Sequence, residues 1–115
     1  MTPSPIDTAT LTELQQTVGG EFVQELVDTF LAEAPAMLAA LRQAASTQSA
    51  DDFRRAAHSL KSNSNTFGAL ALGALARELE LKGLHPTLAA NLQPLDALEL
   101  EYARVAAALT ELRHA

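Results

Sequence analysis

The residues able to do chemistry crowd into one stretch, Arg54-Arg55-Ala56-Ala57-His58-Ser59-Leu60-Lys61-Ser62-Asn63-Ser64-Asn65-Thr66-Phe67-Gly68-Ala69. Phe53, Ala57, Leu60, Ser64 and Phe67 recur at steps of four, three, four and three, the period of a helix that buries that stripe. His58 lies off it. At about 100° per residue, Arg54, His58, Lys61, Ser62 and Asn65 share a sector of the opposite, water-facing side, with Arg55 at its margin.

Four readings of His58 are open. The plainest is a solvated surface histidine with no role. A metal ligand needs partners at helical or hairpin spacing. The chain has no Cys, His85 and His114 are far away in sequence, and no acid stands three or four places from His58. General-base catalysis needs a nucleophile and an orienting carboxylate; Ser62 is one turn away, but two groups on one convex helix face make no pocket. In the fourth reading the imidazole is itself the nucleophile and carries a group. Free imidazole titrates at about pH 6.5, so its neutral form is abundant in cells. A phosphoryl group gained there would bring nearly two negative charges, offset by Lys61 at i+3 and by Arg54 and Arg55 at i−4 and i−3. The short Ser62 at i+4 leaves the ring open to a large reaction partner.

At these residues the chain resembles the histidine-containing phosphotransfer (HPt) domains of bacterial multistep phosphorelays. The family pattern His-x-Leu-Lys-Gly, then small residues, then Gly-Ala, is met by His58-Ser59-Leu60-Lys61-Ser62, Asn63 to Phe67, and Gly68-Ala69. Leu72, Leu75, Leu79 and Glu80 resemble the leucines and the Leu-Glu of the family's next helix, and the likeness extends weakly over nearly the whole chain. Ser62 departs from the usual Gly, which bears on partner choice or transfer rate more than on the activity itself.

The resemblance implies a phosphorelay carrier that accepts a phosphoryl group on His58 from a receiver-domain aspartate and passes it to another. Lys61 would assist, and Arg54, Arg55, Ser62, Asn65 and Gly68 would form the docking face. The implied partners are response-regulator receiver domains and a hybrid sensor kinase. The receiver supplies Mg²⁺, so the chain needs no metal or cofactor of its own and is no enzyme in its own right. No glycine-rich nucleotide loop is present, so ATP is not expected to bind. The main alternative is a non-catalytic helical-bundle module that docks an acidic partner surface through the basic patch. A haem or di-metal bundle fits poorly, since there is no Glu-x-x-His pair and no Cys-x-x-Cys-His.

The elements that must hold His58 follow from composition and period. A chain of 115 residues suits a single domain, 1–115, with residues 1–6 expected to be a flexible start. The absence of Cys excludes disulfides and thiol chemistry. No apolar run approaches a spanning helix, and Met1-Thr2-Pro3-Ser4-Pro5 lacks the regions of a signal peptide, so no membrane insertion and a cytoplasmic location are expected. A net charge of −6 with 4% aromatics argues against a nucleic-acid partner, which needs a basic surface and stacking rings.

Abundant Ala, Leu and Glu without alternating β-branched runs predict an all-α fold: an antiparallel up-down-up-down four-helix bundle with a short N-terminal capping helix. Thr10 and Glu13 read as a capping box opening the first helix, with Gly19-Gly20 as its stop. A long second helix runs from Glu21 to about Ser46, kinked or restarted at Pro35 but not ended there. Ser49 with Asp51 and Asp52 starts the helix bearing His58, which should run to about Phe67. Ala69 to Lys82 forms the next, in which Gly73 signals crowding against a neighbour. Thr87 to Asn91 reads as a candidate single turn, and His85 reads as a loop residue. The last helix begins at Pro94 with Leu95, Leu98, Tyr102, Val105, Leu109 and Leu112 as its seam, and with Asp96, Glu99, Glu101 and Arg104 expected to be a solvated face.

Overall fold

The computed structural model describes residues 5–84 and 93–114, with side chains to residue 111. Among these residues there are five helices and no strand: α1 (Thr8–Val18), α2 (Gly20–Thr47), α3 (Ala50–Thr66), α4 (Leu70–Lys82) and α5 (Gln93–His114). The turn expected at Thr87 to Asn91, and His85, lie outside the described residues. No helix among the described residues is long and apolar enough to cross a membrane.

Each long helix buries the stripe its spacing predicts. Val23, Val27, Phe30, Ala34, Leu38 and Leu41 of α2 meet Phe53, Ala57 and Leu60 of α3, Leu72, Ala76 and Leu79 of α4, and Leu95, Leu98, Val105 and Leu109 of α5 in one core. Each large aliphatic or aromatic side chain so buried contributes about 1.5–3 kcal/mol. The packing closes on itself: α2 lies on α3, α3 on α4, α4 on α5, and α5 on α2, while α1 rests on α2 and α3. The Phe30 ring anchors the middle, with ring centroids 5.5 Å from Phe67 and 6.0 Å from Tyr102. Partial burial pushes the Tyr102 hydroxyl's pKa upward.

Several boundaries differ from the sequence reading for identifiable reasons. The N-cap of α1 is Asp7, not Thr10: the Asp7 carboxylate accepts from the Thr10 amide at 3.2 Å and from the Thr10 hydroxyl at 2.5 Å. Residues 1–6 are not all a loose start, because Ile6 is 3% exposed within the core and the Asp7 amide donates to the Gly68 carbonyl at 2.7 Å. α2 runs through Pro35 without ending and stops at Thr47. Ser49 stands at the N-cap of α3, with Asp51 and Asp52 in the first turn favouring the positive helix end, though its side chain makes no capping bond.

The acidic residues of α5 are more than a solvated face. Arg42 of α2 donates through Nη2 to Asp96 at 2.6 Å, and through Nε and Nη2 to Glu99 at 2.5 and 2.9 Å. These bonds, Glu99 first, raise the pKa of the guanidinium further above its ordinary value. Glu101 is largely buried and accepts from Arg104 at 2.8 Å. Arg42 thus fastens α2 to α5, a pairing that 54 or 57 residues of separation conceal from any periodicity.

Candidate functional site

Helix α3 carries His58 on its outer side because Phe53, Ala57, Leu60 and Ser64 take the inner one. The imidazole is 60% exposed, and one of its nitrogens is held from the neighbouring helix: Nδ1 lies 2.8 Å from Oε2 of Glu80 in α4. The other oxygen of Glu80 lies 2.7 Å from the Lys61 ammonium. Lys61 and Glu80 are 25% and 17% exposed, so this pair is far better shielded than the imidazole it supports. Lys61, and after it His58, hold the Glu80 carboxyl below its ordinary pKa of 4.5.

An ionised carboxylate can only accept hydrogen bonds, so the proton of a neutral His58 sits on Nδ1. The lone pair is then on Nε2, the nitrogen turned away from Glu80. Exposed imidazole, fixed tautomer and an orienting carboxylate are the features that a nucleophile approached from solvent would need.

The seam between α3 and α4 is set by a second contact. Seven residues further along α3, the Asn65 side chain lies over Gly73, seven residues earlier along α4, and a Cβ at Gly73 would collide with the Asn65 amide. The two helices therefore run past each other in opposite directions in one register. The crowding expected at Gly73 is thus Asn65 itself.

The other expected site residues distribute unevenly. Arg54 is exposed and lies 3.5 Å from Asp51. Arg55 is exposed on the α2 side of His58, where it borders a hollow with Met37, Ala40 and Ser59. Ser62 and Asn65 are exposed on the His58 side of α3. Gly68 does not belong with them. It is buried with φ of +80°, and a Cβ there would stand 2.6 Å from the Asp7 carbonyl oxygen, so it joins α1 to the α3–α4 turn and offers no open docking surface. Among the described residues no three His, Cys, Asp or Glu side chains converge as a metal ion would require.

Glu80 is the residue that helical periodicity missed. The search for an acid three or four places from His58 could not find one 22 residues away. A usable signal existed in the turn: α3 and α4 are joined only by Phe67, Gly68 and Ala69, and folding the chain back there sets Glu80 opposite His58.

Comparison with known proteins shows the family. The family model of the Hpt domain matches residues 25–114. The crystal structure of histidine-containing phosphotransfer protein B (HptB) from Pseudomonas aeruginosa PAO1 is similar with a TM-score of 0.86 and 28% identity, covering 99% of this chain and 97% of that one. No curated protein matches the chain. With most of its length matched by that model, the chain belongs to the Hpt domain family, the histidine phosphotransfer carriers of phosphorelays.

Proposed function

We propose that His58 is the phosphoacceptor: it takes a phosphoryl group from the aspartyl phosphate of a response-regulator receiver domain and passes it to a second receiver aspartate. The observation that carries this reading is the Glu80 contact on Nδ1 of His58. In the forward step the Nε2 lone pair attacks phosphorus in line, the N–P bond forms, and the P–O bond to the receiver aspartate breaks, returning that side chain as a carboxylate. The Nδ1 proton stays in place, so the ring becomes cationic, and the Glu80 carboxylate stabilises that charge where it develops. Phosphoryl transfer to the next receiver reverses these changes.

The receiver partner brings the Mg²⁺ that neutralises the phosphoryl oxygens. A hybrid sensor kinase upstream would present the first receiver domain, in the cytoplasm, and the chain itself would not use ATP. Arg54, Arg55, Ser62 and Asn65 would face the docked receiver. The short links between α2 and α3 and between α3 and α4 support an up-down-up-down course for the four long helices, with α1 across one end, which leaves the middle of α3 open to a partner. A docking module without chemistry would leave the Glu80–His58 contact without a use.

The test is intact mass after incubation with a phosphorylated receiver, with and without acid. An acid-labile phosphoryl adduct is expected on the parent protein and none on His58→Gln, with helicity and melting temperature unchanged. An adduct that persists in His58→Gln overturns the assignment.

A further inference from the structure

The seam carries a cation that the expected site omits. We propose that Arg77, on α4, is a phosphoryl-directed residue whose guanidinium binds the oxygens of the group passing between His58 and the partner's aspartate. This rests on His58 being the acceptor.

The other cations near the ring are compromised. Lys61 is held 2.7 Å from Glu80 and is its principal counter-charge, so swinging it to the phosphoryl group would weaken the carboxylate that orients the ring. Arg54 shares an exposed 3.5 Å contact with Asp51 on its own helix, one turn from His58 and on the side away from Asn65 and Gly73. Arg55 lies toward α2. Arg77 is exposed and makes no ion pair among the described residues.

Position supports the assignment. Gly73, Arg77 and Glu80 follow one another at steps of four and three, so they line one side of α4. The flanking members of that row identify the side: Gly73 meets Asn65 and Glu80 meets His58, both on α3. Arg77 therefore sits between the two contacts, across from Lys61 and Ser62. Ser62 is short and Gly73 has no side chain, so neither covers it. A planar guanidinium suits phosphoryl oxygens because two parallel N–H groups meet two oxygens at once, and an exposed side chain with no ion pair among the described residues is available to meet them.

The experiment compares the parent with Arg77→Ala and Arg77→Lys in single-turnover transfer from a phosphorylated receiver. Arg77→Ala should slow transfer by about tenfold or more, the effect of losing a charged hydrogen bond, with partial recovery in Arg77→Lys and an unchanged melting temperature. A second arm places Arg77→Ala in a His58→Gln chain and measures its binding to a receiver loaded with beryllium fluoride, a phosphoryl mimic, and to the unloaded receiver. Affinity should fall for the loaded form and hold for the unloaded one. Parent-like transfer in Arg77→Ala, or equal loss of both binding modes, overturns the proposal. Labelling that survives His58→Gln would instead overturn the choice of acceptor, while the loaded-against-unloaded comparison still decides Arg77.

Discussion

Nδ1 of His58 and Oε2 of Glu80 stand 2.8 Å apart across the seam of α3 and α4, and Glu80 in turn spans to Lys61 at 2.7 Å. One carboxylate thus couples the ring to the better-shielded of its neighbouring cations. On the proposed function this makes Lys61 a positioning residue that acts through Glu80.

Glu80→Gln keeps an acceptor oxygen for Nδ1 but removes the charge that balances the ring as it becomes cationic. Transfer should slow by about tenfold, the magnitude of a lost charge-assisted hydrogen bond. Lys61→Ala should slow it less, since the carboxylate remains. Nitrogen chemical shifts of the imidazole provide the check: the parent should hold its proton on Nδ1, and Glu80→Ala should mix the two tautomers. A parent ring already mixed would remove Glu80 from the mechanism.

The same carboxylate predicts an acid dependence of folding. Its pKa is lowered from 4.5 in the folded chain, by Lys61 first and His58 second. The unfolded chain therefore takes up this proton more readily, so stability from the pair is present above about pH 4.5 and is lost as pH falls through the folded-state titration of Glu80. Melting temperature followed downward from pH 6 should fall more steeply for the parent than for Glu80→Gln. Identical slopes would show that the pair does not contribute.

Ser62 stands where the family pattern has Gly, on the His58 side of α3 and exposed. Ser62→Gly should keep transfer and cost the helix up to about 1 kcal/mol of propensity. Ser62→Tyr should block transfer from a receiver with the fold intact, because a bulky side chain one turn from the imidazole stands in the path of the partner. Labelling by phosphoramidate, a donor too small to need the docking surface, should be much less affected. Equal loss with both donors would mean that Ser62 acts on the ring and not on the approach.

Gly68→Ala should destabilise the fold by about 1–3 kcal/mol, because φ of +80° is costly for any residue with a Cβ and that Cβ would meet the Asp7 carbonyl oxygen at 2.6 Å. The loss should be local at first, seen as faster amide exchange at Asp7, whose N–H donates to the Gly68 carbonyl. Unchanged exchange and stability would mean that α1 is held elsewhere.

What periodicity carries, the sequence showed. The stripes of α2, α3, α4 and α5 and the outward direction of His58 are properties of residues a few places apart, so spacing reveals them. Contacts between helices are a different matter. Glu80 on His58, Arg42 on Asp96 and Glu99, and Asn65 over Gly73 depend on how the chain folds back, and only the crowding at Gly73 left a local trace, as a glycine inside a helix. The Thr10 box failed for a smaller reason: Asp7, three residues earlier, is as good a cap and its carboxylate reaches Thr10. Gly68 was misread because a glycine beside an active face looks open until α1 is laid over it.

Because the histidine and the carboxylate that orients it belong to different helices, a chain can hold the first without the second. A peptide of α3 alone, or a molecule whose α4 has transiently come away, presents an imidazole with neither tautomer imposed and no counter-charge behind it. On the proposed function, full competence to be charged would then be a property of the helix pair, and its population would depend on the free energy of opening α4. On the same reading, the relay would in this way favour folded carriers: phosphoryl groups would pass more slowly to molecules whose α4 is not in place.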